Sequence, residues 1–126
     1  MTITRLLAAL LVAAATGCGN VPARAGGYAD DRSVIQVVSS NVQGKNVYIP
    51  STIVVTAGKD QTLQIYNTTD VPHGFSIDGL GIQEILTPGE EHEVKLSGLE
   101  GGHVWHVRCH LHPAHRTGTL VVLEGE

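Results

Sequence analysis

The chain has 126 residues, 42% of them hydrophobic and 16% charged, with 15 glycines; that is enough for one domain, and too apolar for a disordered segment. Against 12 Asp and Glu there are 8 Lys and Arg, a formal net charge of −4, so no basic patch invites DNA or RNA. A chain of this size can bury roughly two-thirds of its surface and fold without disulfides.

The first segment reads as a targeting signal. Arg5 precedes the apolar run Leu6 to Ala15, long enough for a signal-peptide core and too short to span a bilayer unaided. Ala15-Thr16-Gly17-Cys18 has the form of a lipoprotein cleavage box, and Ala23-Arg24-Ala25 offers an ordinary small-x-small site further on. The first position follows the apolar run directly and is preferred. Residues 1–17 are then a signal peptide, Cys18 is acylated, 18–32 form a flexible tether and 33–126 the folded domain. The expected location is periplasmic or cell-envelope, with membrane contact only through the lipid anchor at Cys18. Cys109 is left as the one thiol of the domain, without a disulfide partner.

The remaining chain reads as short strands. Ser33 to Val38 opens the series, Asn46 to Pro50 follows a polar turn around Gly44, and Thr52 to Thr56 is β-branched throughout before the turn at Ala57-Gly58. Gln61 to Asn67 alternates polar with apolar, as a strand with one buried face does. Gly74 to Asp78, Ile82 to Leu86, Glu91 to Leu96, His103 to Cys109 and Thr117 to Leu123 complete the list. No helical period is sustained over three turns. About eight strands at 8–12-residue spacing predict an all-β, antiparallel sandwich or barrel.

The chemistry collects between the last two strands. Cys109-His110-Leu111-His112-Pro113-Ala114-His115 places one thiol and three imidazoles in seven residues, donors that suit copper or zinc rather than calcium or magnesium. Metal coordination would also protect a lone thiol from oxidation. Strand parity puts His103, Trp105, Val107 and Cys109 on one face. Cys109 therefore turns inward, and the loop from His110 to Arg116 can bring nitrogens to it. His103 shares that face but lies roughly 20 Å away, at about 3.3 Å per residue. His92 and His106 are expected on the surface, His110 pointing away from Cys109, and Glu84 exposed on its strand.

Cys109-x-x-His112-x-x-His115, followed by Gly118-Thr119-Leu120-Val121-Val122, resembles the ligand loop of the cupredoxins. The upstream His73-Gly74-Phe75-Ser76-Ile77-Asp78 is similar to their first-histidine strand. The resemblance covers about Thr52 to Leu123, and within the family the Gly74–Asp78, Gln83-Glu84 and Leu111–Pro113 stretches look closest to its red-copper branch. It implies a Greek-key β-sandwich holding one copper ion, Cu(I)/Cu(II), with Cys109, His73 and His112 as core ligands. An electron-transfer protein with a transient redox partner is preferred to an enzyme, because a single copper with no obvious substrate pocket suffices for a carrier.

The short-spaced loops of blue-copper relatives end in Met where this chain has His115. Neutral imidazole is a stronger donor than a thioether, so His115 as fourth ligand predicts a weakened copper–thiolate bond and a red or green site. Other readings stay open at this stage: a site that binds a small molecule such as nitric oxide, copper handling without redox work, and a closed Cys-His₃ zinc site. A cysteine hydrolase would need a base held by a third group, and no such constellation is evident.

Overall fold

A computed structural model describes residues 33–126. The expected signal peptide, the acylation box at Cys18 and the tether lie outside the described residues. Those residues form nine strands and one 3-10 turn: β1 (Val34–Val42), β2 (Lys45–Ile49), β3 (Thr52–Thr56), β4 (Gln61–Asn67), β5 (His73–Ile77), the turn Asp78–Leu80, β6 (Ile82–Leu86), β7 (Glu91–Leu96), β8 (His103–Val107) and β9 (Gly118–Leu123). β-Branched residues, stiff at χ1, favour the pleated strand, and alternation decides which face is buried. In β3, Ile53 and Val55 are inside and Val54 outside; in β4, Leu63 and Ile65 are inside.

One sheet has the order β2-β1-β4-β7 and a second the order β3-β9-β8. The β5–β6 pair joins the second sheet where Ser76 and Arg108 exchange backbone hydrogen bonds of 2.9 and 3.0 Å. Val37, Leu63, Ile65 and Val94 from the first sheet meet Ile53, Val55, Val107, Leu120, Phe75 and Ile77 in one buried cluster. The architecture is a β-sandwich, as predicted.

Two expectations are corrected. The sheets are mixed, because β1 runs parallel to β4 and β3 parallel to β9. Side chains alternate with period two in either direction, so the pattern could not reveal this. Second, β1 continues through the polar Ser39-Ser40-Asn41 to Val42, because it pairs with β2 across the tight turn Gln43-Gly44. Both turn residues have positive φ, 51° and 76°, the geometry that matches the twist of a two-residue hairpin.

Asn67, at the end of β4, shapes the entry to β5. Its Nδ2 donates to the carbonyls of Val71 at 2.9 Å and Leu86 at 2.8 Å, while its Oδ1 accepts from the Thr69 amide and hydroxyl. The 68–72 segment is thereby folded back, and His73 enters β5 fully buried. We expect Asn67→Ala to lower the unfolding free energy by about 2–3 kcal/mol in a urea titration, since it strands buried backbone groups. Val104→Ala, at a side chain 64% exposed, should stay within about 0.5 kcal/mol.

Candidate metal centre

The site is built at one end of the sandwich, where β5 and the β8–β9 connection meet. After β8, Arg108 remains in register with β5 through its bridge to Ser76. Cys109 is next, and alternation turns it inward to 5% exposure. Its sulfur accepts two backbone hydrogen bonds, from Gly74 N at 3.1 Å and from His112 N at 3.3 Å. Donors aimed at sulfur suit one that carries negative charge, as a metal-bound thiolate does.

Two imidazoles face the same sulfur. His112 Nδ1 lies 3.7 Å and His73 Nδ1 4.0 Å from Cys109 Sγ. The donor atoms of His73, Cys109 and His112 all lie within 4.8 Å of one another. The loop keeps this shape through a turn bond from His115 N to His112 O at 3.0 Å, and Arg116 N donates to Asn46 O of β2 at 2.9 Å. A soft sulfur with two imidazole nitrogens at this separation fits copper or zinc.

His115 stands beside this triad. Its ring lies between Tyr48, at a centroid distance of 4.3 Å and a tilt of 34°, and His73, at 5.1 Å and 72°. Its Nδ1 donates to the Arg116 carbonyl at 2.8 Å. The lone pair is thus left on Nε2, which is buried without a hydrogen-bond partner. Such an orphan acceptor is unusual in a protein interior and is what a metal-ligand position looks like without its ion. Burial, then the neighbouring His115 and His112, push the His73 pKa down. Burial also lowers that of His115, with His112 adding to it and the bond to Arg116 opposing. Both rings are thereby kept neutral, the form that binds metal.

The other histidines are elsewhere. His103 stacks on Trp105 and faces Glu100, 3.7 Å away; His106 is exposed; His92 Nε2 accepts from Thr87 N at 2.9 Å. Glu84 is exposed on β6. His110 differs from expectation: its ring packs over Gly74, and its Nδ1 is buried without a partner. Parity alone sent it outward, but the chain has left the strand by then and bends back over β5.

Sequence reasoning missed two contributors. Gly74 supplies an N–H to the sulfur, and Tyr48 of β2 borders His115. The only available signal for Gly74 was a glycine beside a candidate ligand, and for Tyr48 a tyrosine at an inward position of an ordinary strand. At the surface, Arg108 Nε and Nη2 bond Asp78 Oδ2 and Oδ1 at 2.7 and 2.9 Å. The guanidinium holds the Asp78 carboxyl below the usual carboxylate range.

A sequence profile of the cupredoxin-like domain matches residues 4–122. The chain belongs to the cupredoxin-like family. Solved structures agree at the level of the fold. The metal-binding domain of the Cu(I)-exporting P-type ATPase CopA from Streptococcus pneumoniae, in complex with Cu(I), is 19% identical with a TM-score of 0.54, over 71% of this chain and 97% of that one. An oxidised point mutant of amicyanin is 21% identical with a TM-score of 0.54, over 71% and 81%. The blue copper oxidase of Nitrosomonas europaea is 17% identical with a TM-score of 0.57, over 74% of this chain and 39% of that one. Comparison with curated protein sequences finds no match.

In this cupredoxin, Gly74 can carry no side chain. A Cβ there would lie 2.5 Å from His110 Nδ1 and 2.9 Å from the His110 backbone nitrogen, and the backbone cannot swing aside. Gly74→Ala should therefore push the loop off β5, cost about 1–3 kcal/mol in denaturant unfolding and weaken metal uptake in the same variant. Acid should act through the histidines. An unfolded histidine titrates near its ordinary 6.5 while folded His73 and His115 lie lower, so below 6.5 the unfolded chain binds more protons. The stabilisation is complete above that pH and is lost as pH falls through the lowered values. Thermal unfolding of the metal-free domain should show a midpoint that drops on going from about pH 7 to about pH 5. His115→Gln should flatten that dependence.

Proposed function

We propose that this cupredoxin is an exported, mononuclear copper protein that carries electrons. The observation that supports it most is the convergence of Cys109 Sγ with one imidazole nitrogen each of His73 and His112, all within 4.8 Å of one another, on a cupredoxin sandwich. When bound, copper supplies one-electron chemistry between Cu(I) and Cu(II). The chain's own residues do the rest.

Cys109 gives the thiolate, restrained by two N–H groups that limit how far it can move. His73 comes from a strand buried along its whole length and is the rigid ligand. His112 comes from the loop and is only partly buried, with Leu111 beside it 41% exposed. A redox partner docking briefly over this end needs only a small interface to approach that imidazole edge. His115, with its unpartnered Nε2, is the proposed fourth ligand. The leader and Cys18 support export with a lipid anchor, in the periplasm or cell envelope.

A second reading is a nitrosocyanin-like site that binds a small molecule such as nitric oxide. The likeness of Gly74–Asp78 and Leu111–Pro113 to that protein supports it. So does the placement of His115 outside the group of His73, Cys109 and His112, since a copper held by those three alone would have room for another ligand.

Copper titration of the exported domain should give one ion per chain and a thiolate charge-transfer band that Cys109→Ser abolishes. Zinc that copper cannot displace would overturn the proposal. His115→Met should raise the reduction potential and move intensity toward the 600 nm region, because a thioether would be a weaker fourth donor than imidazole and would favour Cu(I). Spectra left unchanged by nitric oxide or azide are expected for a carrier; new bands would favour the second reading.

A further inference from the structure

Tyr48 is 2% exposed and belongs to β2, in the sheet opposite to the one that carries the ligands. Its hydroxyl crosses the sandwich to donate to the carbonyl of Gly74. Its ring lies against His115 and, edge-on at 5.5 Å, against Phe75. Gly74 is thus held from both sides: its carbonyl by Tyr48, and its own N–H pointed at Cys109 Sγ. Glycine is the residue least able to fix its own dihedrals, yet no side chain fits here against His110. The orientation of that N–H has to be imposed from outside.

We infer that Tyr48 is a positioning residue of the copper site, which aims the Gly74 N–H at the cysteine sulfur and walls in the outer face of His115. The inference rests on the copper-site reading above. Hydrogen bonding to the sulfur tunes a copper–thiolate potential, because an N–H that withdraws charge from sulfur favours Cu(I). Tyr48 acts on that quantity without touching the metal: hydroxyl to Gly74 carbonyl, Gly74 dihedrals, N–H, sulfur. A conformational role of this kind predicts an effect confined to one amide, which a general packing role does not.

The test is Tyr48→Phe in the full chain, which keeps the ring and its contacts with His115 and Phe75 and deletes only the hydroxyl. Tyr66→Phe, at a tyrosine 42% exposed on β4, serves as control. In the metal-free protein, amide hydrogen exchange at Gly74 should accelerate about tenfold, the loss of roughly one hydrogen bond. Amides of Leu63 and Val94, in the opposite sheet, should keep their rates. In the copper-loaded protein the reduction potential should fall and the charge-transfer band should shift, with Tyr66→Phe unchanged. Exchange that rises equally at all three amides would reduce Tyr48 to a packing residue and overturn the inference. So would a Gly74 rate and a potential that both stay at native values. Should the native chain take up no copper, the proposed function fails by itself, and the exchange experiment still decides whether Tyr48 holds Gly74.

Discussion

The sulfur of Cys109 is where two parts of the chain 36 residues apart are made to agree. It can sit there only because β5 and the end of β8 are locked in register by the Ser76–Arg108 bridge, which delivers Gly74 N and Cys109 Sγ to within 3.1 Å. Everything around that contact guards the same alignment. Phe75 and Ile77 anchor the inner face of β5 in the core, Gly74 lets His110 close over the outer face, and Asn67 sets the angle at which the chain enters. The Arg108–Asp78 pair fastens the outside edge, but an exposed ion pair contributes little and is screened by salt. The alignment belongs to the backbone ladder and the core.

Much of the site could be seen in the sequence because its chemistry is local. Cys109, His112 and His115 lie within seven residues, and strand parity sufficed to turn the sulfur inward. His73 could not be placed by spacing; it was reached only through resemblance, since no local rule pairs residues that far apart. The fold class followed from alternation and turn residues. Strand direction did not, because β1 beside β4 and β3 beside β9 bury alternate side chains whichever way they run. Ser39, fully buried within β1, fell just outside the expected first strand, Ser33 to Val38, because a polar side chain held inside a sheet has no signature in a one-dimensional pattern.

The histidines divide by environment more than by position. His73 and His115 are buried, hold depressed pKa values and keep a nitrogen without a protein partner. His92 and His103 have partners of their own in Thr87 and in Trp105 and Glu100. For His115, whose Nδ1 donates to Arg116, the unpartnered nitrogen is Nε2 with its lone pair, a costly thing for a domain of this size to keep. Its retention next to a thiol, in a site that a neutral ring and a soft sulfur both favour, is better explained by a ligand that repays it than by packing.

The β8–β9 hairpin divides the protein into a frame and an insert. Register runs unbroken from His103 opposite Val122 to Val107 opposite Gly118, and the connection after Val107 supplies three of the four candidate ligands. It is tied to the frame all the same: Cys109 is part of the buried core, and the rings of His112 and His115 contact that of His73. The insert is not wholly free, because Asn46 and Tyr48 of the facing sheet grip its far end at Arg116 and His115. A connection of another length or with other donors would have to fit the core at Cys109 and still offer a flat ring to Tyr48.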